Sequence, residues 1–172
     1  MTDFTMKTDA DGVAIITWDV PGKSMNVMSI EGLSELDSII DTVLSDDAIK
    51  GAVITSGKDG SFAGGMDLNL LAKMREDAGD DPAQGLFDGT MKMHALLRKI
   101  ERAGMDPKSL KGGKPIAAAL PGTALGIGLE LPLATHRIFA ADNARAKIGL
   151  PEIMVSIFPG GGGTTRLARR LG

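Results

Sequence analysis

Cysteine is absent from the 172-residue chain, which excludes a disulfide framework and a thiolate metal site and is compatible with a cytoplasmic location. No apolar run approaches the roughly 20 residues that span a bilayer. The opening MTDFTMKTDADG is polar and acidic, unlike a secretory leader. A basic surplus is also missing. The 19 Lys and Arg are outnumbered by 22 Asp and Glu, for a net charge of −3, which argues against a nucleic-acid partner. Aromatics are sparse, Trp18 and five phenylalanines. Ten methionines do much of the filling instead, a side chain that suits irregular cores and flexible apolar ligands alike. With 43% hydrophobic and 24% charged residues, the composition is that of one soluble domain over residues 1–172. A chain of this size buries about two-thirds of its unfolded surface.

The periodicity alternates between strand and helix. GVAIITWDV (12–20) is β-rich, and Asp11-Gly12 is a hairpin turn that pairs it with DFTMKTD. From Ser29 the spacing turns helical, through Ile30, Leu33, Leu36, Ile39, Ile40, Val43 and Leu44, with Ser29 as N-cap. GAVITS (51–56) reads as a buried strand. A helix is predicted from Asp67, its cap, to about Glu76, a surface loop over 76–85, and a second helix over about Phe87 to Arg102. PIAAAL (115–120) is a strand, Pro121-Gly122 a turn, and a helix starts near Gly126. Pro132 inside that helix is expected to kink or end it. RIFAA is a strand. FPGGGGTTRLARRLG is a glycine loop leading into a basic helix, whose Arg166, Arg169 and Arg170 read as a solvated face or subunit contact. The class is α/β, without internal repeats.

One carboxylate stands out. GTALGIGLELPLATH (122–136) places Glu130 between Leu129 and Leu131. An unpaired buried carboxylate costs several kcal/mol or takes up a proton. Either the helix turns Glu130 to solvent, or Glu130 faces a cavity. GAVITSGKDGSFAGGMDL and PIAAALPGTALGIGLEL share one design: a buried strand, a glycine-bearing loop, then a helix N-terminus with unpaired N–H groups. Two such donors aimed at one point make an oxyanion hole; the same pattern also makes ordinary βα turns. Other glycine motifs fail. GIGLEL lacks the third glycine of a dinucleotide fingerprint, GGGGTTR lacks the Lys-Ser/Thr of a phosphate loop, and no G-x-S-x-G occurs. His94 and His136 are not at metal-ligand spacing, so no metal is expected.

SFAGGMDL, GTALGIGLEL and GLPEIMVSIFPGGGGTTRL resemble, in order, three signature segments of the crotonase superfamily, which contains the enoyl-CoA hydratases and isomerases. DVPGKSMNVMS and AALPGTALGIGLEL look closest to its members in which a hydratase domain precedes a 3-hydroxyacyl-CoA dehydrogenase. The resemblance implies a spiral of ββα units, truncated here before the C-terminal helices that help complete the site and the trimer. It implies hydration of a trans-2-enoyl-CoA, with a Δ3–Δ2 isomerase or an inactive structural piece as alternatives. By position, Glu130 and Glu152 match the catalytic glutamates, Met66 and Ile127 the oxyanion-hole N–H donors, and Phe62, Ala63 and Gly64 the stretch along coenzyme A. Met66 replaces a commonly smaller residue, and the position of Ile127 is commonly glycine. The implied partners are an acyl-CoA, further copies of the chain and a thiolase subunit. No cofactor is implied within these residues; NAD belongs to a dehydrogenase domain, if one follows.

Overall fold

The computed structural model describes residues 2–67 and 81–172. The chain opens with a hairpin of β1 (Phe4–Thr8) and β2 (Val13–Trp18), antiparallel, with Phe4 opposite Trp18. Asp9 Oδ1 accepts from the N–H groups of Asp11 and Val13 and closes the turn. Burial alternates along β2, so that Ala14, Ile16 and Trp18 are wholly buried, the period-2 signature of a strand with one face on the core.

Helix α1 (Ile30–Ser45) starts where Ser29 accepts from Gly32 N–H, and it buries Leu36, Ile40 and Val43. Burying each such side chain is worth about 1.5–3 kcal/mol. β3 (Gly51–Ser56) then pairs in parallel with β2, and β4 (Ser61–Ala63) follows. The helix predicted to run to about Glu76 falls almost wholly outside the described residues.

The next helix, α2, spans Pro82–Arg102 and so begins five residues before the predicted Phe87. Asp81 accepts from Ala83 and Gln84 N–H, and Pro82 occupies the first turn, where a missing N–H costs nothing. The predicted loop over 76–85 is therefore corrected from Pro82 onward. β5 (Ile116–Leu120), β6 (Thr123–Leu125) and α3 (Ile127–Ala134) come next. α3 ends two residues after Pro132, where Thr135 N–H donates to Pro132 O at 3.0 Å. All eight of its residues are buried. β7 (Arg137–Ala140), β8 (Ile148–Gly149), a 3-10 turn at Glu152–Val155 and α4 (Gly163–Leu171) complete the chain.

Successive strands divide between two sheets. One has the order β1-β2-β3-β5-β7 and the other β4-β6-β8. In each pair β3/β4, β5/β6 and β7/β8 the first strand joins the large sheet and the second the small one, which is the ββα spiral that the resemblance implied. Trp18 ties the layers together, stacking on Phe4 at 5.1 Å and meeting Phe62 edge-on at 5.8 Å.

Candidate active site

The second strand of each pair stops short, and the chain must turn hard to leave it. Gly126, the N-cap of α3, has φ 56° and ψ −128°, and Gly65 has φ 114°, conformations that side-chain-bearing residues avoid. The two turns abut: a Cβ on Gly126 would lie 3.7 Å from Gly65 Cα. Gly128 presses the start of α3 onto β4 so closely that a Cβ there would meet Ala63 O at 2.9 Å.

The elements on either side of this contact set the direction of two amides. Met28 forms a parallel bridge with Met66, donating to Gly65 O at 2.9 Å and accepting from Asp67 N–H at 3.0 Å. In a parallel pairing the bridged residue turns its own N–H away from its partner. That of Met66 therefore faces the side on which β6 has ended and Gly126 has begun α3. Ile127 is the first residue of that helix, and its N–H is one of the donors that a helix leaves unpaired. Neither amide has a hydrogen-bond partner among the described residues.

A cavity of about 1100 Å³ opens at this point. Met66, Ile127, Glu130 and Glu152 all line it, and Gly64 lies on its wall. Glu130 is 3% exposed and Glu152 9%. Glu130 sits one helical turn beyond Ile127, so the helix that offers the amide also carries the acid. Glu152 opens the 3-10 turn and packs beside Gly126, where a Cβ would come within 3.4 Å of its Oε1. Both Glu152 oxygens are buried without a hydrogen-bond partner among the described residues. Burying such a group is costly, and a substrate-binding cavity is a place where that cost is repaid.

Glu130, in contrast, is held. Its Oε1 accepts from Gly163 N–H at 2.9 Å, and the Gly161 amide is near enough to favour its charged form. The glycine loop allows this approach: a Cβ on Gly161 would lie 2.5 Å from Glu130 Oε2, and one on Gly163 2.8 Å from its Cγ. Arg166 braces the loop by donating to Gly161 O at 2.7 Å, with Glu101 Oε2 at 3.5 Å. Burial pushes the Glu130 pKa up, and the nearby Glu152 charge adds to this. The Gly163 and Gly161 amides and Arg166 pull it back, and the net direction is upward.

The raised value makes a stability prediction. Between the ordinary Glu range and the raised value the native state holds a proton that the unfolded chain has released. Stability therefore falls as pH rises through the folded pKa and stays lower above it. Glu130→Gln keeps an acceptor for Gly163 and removes the charge. Its melting temperature should exceed the parent's at about pH 8, and the gap should close toward about pH 4, where carboxylates protonate. Thermal melts across that range check this; a gap independent of pH would mean that Glu130 bears no such penalty.

The other predicted positions are placed as follows. Of the three residues expected along coenzyme A, Gly64 lines the cavity, while Phe62 and Ala63 are wholly buried beneath it. Arg166 corrects the reading of a solvated basic face. Its side chain is only 11% exposed, because α4 lies against α3 and turns this residue inward. Arg170, on the same helix, reaches the carbonyls of Leu133 and Thr135. The glycine amides and Arg166 behind Glu130 were missed as site residues. Their signal was the run PGGGG: glycine in series permits another group's close approach as well as a turn.

Comparison with known proteins bears on the family and the fold. The enoyl-CoA hydratase/isomerase family model matches residues 8–172, and the chain belongs to that family. Curated relatives include the fatty acid oxidation complex subunit alpha of Idiomarina loihiensis, 40% identical over 169 residues. The subunit of the same name from Shewanella oneidensis is 36% identical. The alignments cover 98% of this chain, which spans 22% of the length of those relatives. Among solved structures, an enoyl-CoA hydratase of Geobacillus kaustophilus superposes with a TM-score of 0.80 at 31% identity, covering 98% of this chain and 56% of that one. The enoyl-CoA hydratase of Thermoplasma volcanium gives 0.78 at 26% identity, with 98% and 59% covered. The fold is that of the crotonases.

Proposed function

We propose that the chain adds water across the double bond of a trans-2-enoyl-CoA in fatty-acid β-oxidation, giving the 3-hydroxyacyl-CoA. One observation carries this reading: two buried carboxylates share one cavity with Met66 and Ile127, whose main-chain amides have no partner among the described residues. The thioester oxygen sits at the amides of Met66 and Ile127, which stabilise the enolate-like charge by about 3–4 kcal/mol each, the scale of other oxyanion holes. Glu130 takes a proton from water as its oxygen bonds to C3. Glu152 delivers a proton to C2, and the acids are reset by passing the proton between them. The division follows the hydrogen bonds. Glu130 is fixed by the Gly163 amide to orient the water, and Glu152 has no hydrogen-bond partner among the described residues.

Coenzyme A runs past Gly64, which Phe62 and Ala63 support from the core. The apolar lip of Met154, Ile157 and Phe158 suits an acyl chain. The relatives' names support a place in a larger fatty-acid oxidation complex, which we place in the cytoplasm. There the chain associates with further copies of itself, with an NAD-dependent dehydrogenase domain and with a thiolase subunit. Among the described residues no helix is long and apolar enough to cross a membrane.

The test is loss of enoyl absorbance on crotonyl-CoA, with a 3-enoyl-CoA assayed beside it. Turnover of crotonyl-CoA to the 3-hydroxy product is expected. Conversion of the 3-enoyl thioester alone would make the chain an isomerase, and turnover of neither would leave it a structural piece.

A further inference from the structure

We propose that Asn26 is a positioning residue of the oxyanion site, an inference that rests on the hydration reading and assigns a new part in it. Asn26 touches none of the reacting atoms. It is wholly buried, and its side chain gathers the ends of strands from both sheets. Its Nδ2 donates to Trp18 O at 2.8 Å and to Phe62 O at 2.9 Å, with Ser56 Oγ at 3.0 Å. Its Oδ1 accepts from Val20 N–H at 2.9 Å. Its main-chain oxygen accepts from Gly64 N–H at 2.8 Å.

These bonds fix the segment that aims the first amide. Two residues beyond Asn26 lies Met28, whose bridge to Met66 turns the Met66 N–H toward Ile127. The direction of that donor is therefore set by the seating of residues 26–28 on residues 62–67, and Asn26 is the fully buried polar side chain on that seam. No other side chain meets the demand. Aspartate supplies no donor and brings a charge against two carbonyl oxygens. Leucine leaves the Val20 N–H unsatisfied and removes a donor from both carbonyls, of which Trp18 O keeps the Gly57 N–H, and glutamine is one methylene too long for a closed core.

The experiment uses Asn26→Asp, with Asn26→Ser as a second variant that keeps one donor should the first not fold. Folding is checked by circular dichroism, and kcat and KM are measured on crotonyl-CoA. A second readout is the red shift of a bound conjugated thioester such as cinnamoyl-CoA, which reports how strongly the carbonyl is polarised. The expected result is a kcat lowered about 10²-fold, the effect of losing one oxyanion donor, with KM little changed and the red shift diminished. Asn26→Ser should fall between Asn26→Asp and the parent. Glu152→Gln is the control, losing kcat but keeping the red shift. A folded variant with parental kcat and red shift would overturn the proposal. An inactive parent that still red-shifts the bound thioester, with the shift lost in the variant, would instead overturn hydration and leave the role of Asn26 standing.

Discussion

Glu152→Gln should lower kcat for enoyl-thioester hydration by roughly 10²–10⁴-fold, the usual contribution of a general acid or base, with KM held within a few-fold. The amide has the shape of the acid but no proton to deliver to carbon. The Glu152 oxygens make no hydrogen bond among the described residues, so the substitution breaks none of these, and the fold should persist. Glu130→Gln should lose a comparable factor for the complementary reason that it cannot take a proton from water. There the Gly163 amide keeps an acceptor, so the loss should again appear in kcat. Steady-state kinetics on crotonyl-CoA decide both. Undiminished kcat in either variant would remove that residue from the mechanism.

Gly128→Ala should damage both stability and activity. In an exposed helix the change would help by up to about 1 kcal/mol, since alanine is the better helix former. Here the added methyl would lie 2.7 Å from Ala63 Cβ and 2.9 Å from Ala63 O. The carbonyl is main chain in β4 and cannot swing aside, so the start of α3 must retreat. Overpacking of this kind costs about 1–3 kcal/mol, which outweighs the gain in propensity. The retreat also carries the Ile127 amide away from that of Met66, so kcat should fall on the scale of a lost oxyanion donor, about 10²-fold. Denaturant unfolding and turnover, measured together, check this. A variant as stable and as fast as the parent would show that the contact between α3 and β4 does not set the distance between the amides.

Much of this arrangement is legible in the residues. The large sheet is written in GVAIITW, GAVITS and PIAAAL, whose apolar runs are long enough to carry a pattern, and α1 in its 3.6-residue spacing. The small sheet is not, because β4 and β6 have three residues each and β8 two, too few to show a period. The start of α2 was hidden differently. The acidic, glycine-containing composition of 76–85 reads as a loop, yet Asp81-Pro82 within it is a cap followed by a first-turn proline. Glu130 and Glu152 are singled out by order along the chain and by resemblance, since periodicity alone favours a solvent-facing Glu130. What supports Glu130 stayed hidden because it is long-range: Gly163 is 33 residues away, and only tertiary packing makes α4 its neighbour. Asn26 carries no sequence signal beyond a polar residue in a loop.

On the proposed reading both oxyanion donors belong to the main chain, and this separates two properties that many enzymes must change together. The apparatus that steadies developing charge is encoded by glycines and pairing geometry. The side chains of Met66 and Ile127 are left to shape the cavity wall. Selection can thus recut the pocket for a longer, shorter or branched acyl group by exchanging these two side chains, without rebuilding the electrostatics that make any thioester reactive there.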